Sequence, residues 1–135
     1  MRTVACAAAL AWLTFCLSGC DEPAGPATVR GRVRYLGTVV PDARFVFIPD
    51  ESRGTHGEIL RAQTAGDGTF VLQPDGPTGI PPGCYRITVM ALETVATSST
   101  MPRSLLPDRY RDPELSELSC EIQAGQDNDV MLDLK

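Results

Sequence analysis

Proline placement leaves almost no stretch of this chain able to run as a long helix. Each proline lacks the backbone donor and clashes with the preceding turn. Pro102, Pro107 and Pro113 interrupt the segment from residue 93 to 113, and the decapeptide PDGPTGIPPG at 74–83 cannot form regular structure. The chain has 11 prolines and 12 glycines. They stand mostly as isolated marks between short apolar runs, the pattern of many turns joining short strands.

The runs between those marks alternate with period two, which places apolar side chains on one face of a strand. From Thr28 to Tyr35, Val29, Gly31, Val33 and Tyr35 share one face, and Arg30, Arg32 and Arg34 share the other. Ala43, Phe45 and Phe47 mark a second strand whose other face, Val46 and Ile48, is apolar as well. Residues 59–64 read as a third strand. Gly66-Asp67-Gly68 is a tight-turn signal, followed by a fourth strand through Phe70 and Leu72. Tyr85, Ile87, Val89 and Ala91 define a fifth, Leu118, Cys120 and Ile122 a sixth, and Val130, Leu132 and Leu134 a seventh. The fold class expected is all-β: a seven-stranded antiparallel β-sandwich in one domain.

The beginning of the chain has a separate role. Met1-Arg2 is a positive start, and the run from Val4 to Leu17 is uncharged. That run falls short of the roughly 20 residues needed to span a bilayer and reads as a secretory signal peptide. It closes on Leu17-Ser18-Gly19-Cys20, which resembles the bacterial lipobox. The resemblance implies cleavage before Cys20, a diacylglycerol on its sulfur and acylation of the new amine. The organisation expected is a signal peptide at 1–19, lipidated Cys20 with a short Pro/Gly tether at 20–27, and a folded domain at 28–135. The partner implied is the lipid bilayer, and the location is an exported, membrane-anchored one facing the periplasm or cell exterior. The formal net charge is −5, and loss of Arg2 with the signal peptide makes the remainder more acidic. Such a balance argues against nucleic acid as a partner.

Several stretches of the domain resemble carboxypeptidase regulatory-like domains. Tyr35-x-Gly37 with Val40, Ala43, Phe47 and Pro49 is similar to their opening. Thr64-Ala65-Gly66-Asp67-Gly68-Thr69-Phe70 is similar to their Thr-Asp-x-x-Gly-x-Phe turn, with Ala65 where the family usually has Asp. Pro82-Gly83-Cys84-Tyr85-Arg86-Ile87-Thr88-Val89 is similar to their Pro-Gly-x-Tyr-x-Val-x-Val strand. Leu106-Pro107, Tyr110, Asp112-Pro113, Ser116 and Leu118 resemble a segment common in small lipoproteins of planctomycete-type bacteria. The resemblance implies a transthyretin-like (prealbumin-like) sandwich and a mostly non-catalytic accessory role. Fold alone does not specify function.

Residues able to carry chemistry are sparse. His56 is the one histidine and lies in a polar loop with no orienting carboxylate, as a Ser-His-Asp arrangement would require. A zinc site needs several His or Cys ligands at short spacing, and calcium needs six to eight oxygens; neither pattern occurs. Transthyretin-like enzymes that hydrolyse hydroxyisourate use several histidines and a Tyr-Arg-Gly-Ser tail, whereas this chain ends Leu132-Asp133-Leu134-Lys135. Lys135 is also the sole lysine, which disfavours a Lys–Asn cross-link. No catalytic residue, cofactor or metal is expected.

Two sets of residues stay open. Cys84 and Cys120 would meet an oxidising compartment, where thiols often pair, but their strand phases place them on opposite faces, against the narrow geometry of a disulfide. Arg30, Arg32 and Arg34 read either as a contact for anionic lipid or acidic polysaccharide, or as a solvated face neutralised by carboxylates of neighbouring strands. The function expected is a non-catalytic binding or assembly module at the cell envelope, its partner an envelope protein or polysaccharide. The alternatives are an accessory subunit of a larger envelope complex, docking through Val46, Ile48, Met90 and Leu92, and an enzyme of unrecognised type.

Overall fold

A computed structural model describes residues 27–72, 79–94 and 101–135. Its elements are eight strands: β1 Thr28–Tyr35, β2 Thr38–Val39, β3 Arg44–Pro49, β4 Leu60–Gln63, β5 Thr69–Leu72, β6 Gly83–Met90, β7 Ser119–Ile122 and β8 Asp127–Leu134. Two single 3-10 turns, Glu51–Arg53 and Asp108–Arg111, complete them. The all-β class holds among the described residues, and the expected phases are realised. Phe45, Phe47, Tyr85, Ile87 and Val89 are each at most 1% exposed. The signal peptide, Cys20 and the tether up to residue 26 lie outside the described residues.

Two features correct the expectation of seven antiparallel strands. The first is β2, which makes eight. Tyr35 pairs with Thr38, so Leu36-Gly37 is a two-residue hairpin loop. Both loop residues have positive φ, 50° and 81°, the conformation whose twist matches flanking strands. Leucine seldom adopts it, so the sequence carries only half of the usual signal. The second is direction: β1 and β8 run parallel, in register from Thr28↔Asp127 to Tyr35↔Leu134. A parallel pair needs a long crossover connection, and the chain supplies it by crossing to the other sheet for β3 and β4, returning for β5, and crossing again for β6 and β7 before β8.

The first sheet is built on β1. Strand β8 covers its whole length on one side. On the other side, β5 pairs antiparallel with Val29–Arg32, and β2 with Arg34–Tyr35. The second sheet has the order β4-β3-β6-β7, all antiparallel. Beyond β7, the free flank of β6 is covered by residues 104–118. Ile87 N–H donates to the Leu118 carbonyl and Leu105 N–H to the Ala91 carbonyl, both at 2.9 Å.

The sheets meet across an aromatic centre. The Phe70 ring of the first sheet lies 5.0 Å from Phe45 and 6.1 Å from Phe47 of the second, both tilted. Gly31 makes room for it: a Cβ there would lie 2.8 Å from two Phe70 ring carbons and would overlap the Val130 carbonyl oxygen. Motif residues of the turn before β5 are held by named bonds. Buried Thr64 accepts from Ala43 N–H at 2.8 Å and donates to the Val40 carbonyl at 2.9 Å. Asp67 accepts from Thr69 N–H at 3.0 Å and from its hydroxyl at 2.6 Å. These contacts and Arg32 hold the Asp67 carboxyl below its ordinary range, the Thr69 hydroxyl contributing most.

Candidate functional site: the outer face of the second sheet

The three arginines of β1 project from the outer face of the first sheet, where the parallel register sets β8 carboxylates beside them. Arg30 lies next to Asp129 and Arg34 next to Asp133, while Arg32 lies next to Met131. Arg30 forms an ion pair with Asp127 and a second, at 3.3 Å, with Asp129. These side chains are more than half exposed, so each pair is worth at most about 1 kcal/mol. Arg32 Nε is buried without a hydrogen-bond partner among the described residues. Of this stripe, Arg30 is thus neutralised within the same sheet, while Arg32 and Arg34 make no ion pair among the described residues.

Cys84 and Cys120 are free thiols. In the β6–β7 register Tyr85 faces Cys120 and Cys84 faces Glu121, so the two cysteines project to opposite faces. Cys120 packs against the core, and burial, with a smaller effect from Cys84, pushes its thiol up to about 11 from an ordinary 9.0. The fold keeps a proton that the unfolded chain releases from about pH 9. Its contribution is complete below that pH and is lost as pH rises through about 11. Only about one Cys120 in a thousand is thiolate at pH 8. In a Cys84→Ser variant, peptide-resolved alkylation of Cys120 should be slow at pH 8 and rise steeply above pH 10; rapid labelling at pH 8 would contradict the buried setting.

His56 lies exposed in the loop before β4. Among the described residues, no group of three or more His, Cys, Asp or Glu could hold a metal ion. Asp50 is buried and serves structure. It caps the first 3-10 turn by accepting from Ser52 N–H at 3.1 Å and from the Ser52 hydroxyl at 2.5 Å, and its carboxylate lies 3.4 Å from Arg86. The Ser52 hydroxyl, then Arg86, holds the Asp50 carboxyl below its ordinary range against the opposing effect of burial.

The outer face of the second sheet is different. Strands β3 and β6 are neighbours, with Val46 opposite Thr88 and Arg44 opposite Met90. Strand β4 sets Arg61 beside Val46 and Gln63 beside Arg44. The second 3-10 turn brings Arg111 in from the far flank of β6. Together they line a groove of ≈ 620 Å³ whose floor is Val46, Thr88 and Met90. Among the described residues neither Arg44 nor Arg61 makes an ion pair, and Arg111 pairs with the highly exposed Asp108 at 3.5 Å. Asp42 lies in an adjoining recess with Arg44, Met90 and Leu92. Of the apolar patch expected from Val46, Ile48, Met90 and Leu92, Val46 and Met90 line the groove, Leu92 borders the adjoining recess and Ile48 lines neither; the guanidinium groups around it were not anticipated. Strand parity gives the outward direction of Arg44 and Arg61 individually. Their meeting depends on β4 pairing with β3, which no local signal specifies.

No family model and no curated protein matches the chain. Among solved structures, the dioxygenase domain of a dioxygenase carbohydrate-binding protein fusion from the cellulolytic bacterium Streptomyces sp. SirexAA-E is similar at 18% identity. The match covers 86% of this chain and 84% of that one, at a TM-score of 0.35. So loose a likeness carries no conclusion about fold or activity.

Proposed function

We propose that this chain is an extracytoplasmic lipoprotein anchored through acylated Cys20, whose residues 28–135 form a non-catalytic binding module at the cell envelope. We further read the module as a carboxypeptidase regulatory-like domain of transthyretin-like type. Thr64, Asp67, Phe70 and Tyr85, which carry that resemblance, each hold a defined structural position. The observation that carries the binding role is the groove on the outer face of the second sheet. An apolar floor bordered by Arg44 and Arg61, which make no ion pair among the described residues, and by Arg111, paired only with exposed Asp108, is an arrangement that gains little for the fold and much for a ligand. A lipid of two or more chains would hold the module durably at a membrane.

The anchor is tested by intact-mass analysis of the membrane fraction. The expected species begins at Cys20 and carries added acyl mass. The Cys20→Ala protein should be neither cleaved before residue 20 nor acylated, and equal acylation of the variant would overturn the anchor. A second reading, an accessory subunit of an envelope complex, draws on the same face because Val46 and Met90 offer apolar contact beside exposed Leu92. Affinity capture from solubilised membranes separates the two. A stoichiometric protein partner lost on Val46→Asp substitution supports the subunit; capture unchanged by that substitution supports the ligand-binding module.

A further inference from the structure

Three arginines distant in sequence, Arg44, Arg61 and Arg111, border one groove in an otherwise acidic chain. Strand pairing makes Arg44 and Arg61 diagonal neighbours, close enough for like charges to repel, and no carboxylate is ion-paired with either among the described residues. On the opposite sheet the same chain supplies Asp127 and Asp129 to Arg30. The groove is therefore an electropositive surface left open to an anion from outside.

The arrangement also constrains the shape of that anion. Across the sheet, Arg61 of β4 is followed by Val46 of β3, Thr88 of β6, and then Arg111 beyond β6. At about 4.8 Å per strand spacing, the two flanks stand roughly 14 Å apart at the backbone. Arginine side chains reaching over the floor from both flanks would leave between them a span that a short dicarboxylate, such as a benzene ring with a carboxylate at each end, can bridge. An inorganic anion would leave the apolar floor uncovered. A neutral sugar would find no aromatic face to stack on, since Phe45 is buried. A volume of ≈ 620 Å³ lies within the range of small-molecule sites.

We propose that the outer face of the second sheet binds a small organic dicarboxylate. Arg44 and Arg61 take one carboxylate, Arg111 takes the other, and Val46, Thr88 and Met90 support the apolar frame between them. Planar guanidinium forks match carboxylate oxygens in pairs, which makes arginine the suited cation here. The proposal rests on the reading of this face as a binding surface and adds the chemical class of its ligand.

The test is calorimetric titration of the full chain, solubilised in nonionic detergent, with adipate and terephthalate. The uncharged diamide of terephthalate serves as control. Binding is expected for a dicarboxylate and not for the diamide. Arg61→Gln should weaken it about tenfold or more, as loss of a charged hydrogen-bonded pair implies, and Arg111→Gln should act similarly. Arg30→Gln, on the other sheet, should leave it unchanged. Absence of dicarboxylate binding overturns the proposal, as does binding indifferent to Arg61→Gln and Arg111→Gln in variants with unaltered circular dichroism. Polygalacturonate or phosphatidylglycerol vesicles bound through Arg61 in place of the small acids would also overturn it, assigning the face to a polymer or a bilayer. The anchor is read separately, by acyl mass at residue 20. Failed titration of an acylated protein therefore rejects the ligand alone, and missing acyl mass rejects the anchor whatever the titration shows.

Discussion

A Gly31→Ala protein is expected to lose at least about 3 kcal/mol of stability, the upper end of ordinary overpacking. At roughly 4 °C per kcal/mol, melting should fall by about 12 °C or more. The added methyl would meet the Phe70 ring at 2.8 Å and overlap the Val130 carbonyl oxygen. A ring can rotate aside, but the carbonyl belongs to β8 and is fixed by a parallel ladder eight residues long. Trimming Phe70 in a Gly31→Ala/Phe70→Leu double variant should therefore fail to restore stability. Thermal unfolding followed by circular dichroism measures both. A change under about 2 °C for Gly31→Ala would mean that β8 moves freely at this point, against the register described.

Tyr110→Ala is expected to be the second costly change, at about 3 to 5 kcal/mol by analogy with other buried aromatic truncations. Tyr110 is 4% exposed and belongs to the segment that flanks β6. Its hydroxyl reaches the end of the other sheet, donating to the Lys135 carbonyl at 2.7 Å and accepting from Lys135 N–H at 2.8 Å. Arg109 adds a hydrogen bond to the same hydroxyl at 2.9 Å and lies 4.8 Å above the ring. The residue thus joins the covering segment of one sheet to β8 of the other. Tyr110→Phe keeps the ring and removes the bonds, so its cost should be nearer 1 to 2 kcal/mol. Urea unfolding of the two variants separates ring from hydroxyl. Equal losses for Phe and Ala would place the whole effect in the hydrogen bonds and refute the packing share.

Strand phase was legible in the sequence because burial on one face leaves a period of two, and Tyr85, Ile87 and Val89 show it without interruption. Strand β2 was hidden because Leu36 takes a positive φ that its chemistry does not advertise. Direction was hidden for a more general reason: alternation is the same whether a neighbour runs parallel or antiparallel, so nothing in Val29–Tyr35 or Val130–Leu134 announces that they run together. The arginines show the same limit from the functional side. Arg30, Arg32 and Arg34 form a visible stripe since they share one strand, yet what meets them is decided by β8. Arg44, Arg61 and Arg111 form no visible group, since three separate segments bring them together.

The side-by-side first and last strands also govern how the domain can come into being. Every β1–β8 contact joins residues about a hundred positions apart, as the Thr28–Asp127 bond does at a separation of 99. Such long-range closure is slow, in the range of milliseconds to seconds for sandwiches. Until the final strand is available, β1 has one edge without partners. The polypeptide therefore has no complete first sheet to acquire while any of Asp127–Leu134 is still being made, and the other sheet, whose strands all precede β8 in the chain, can pair before it.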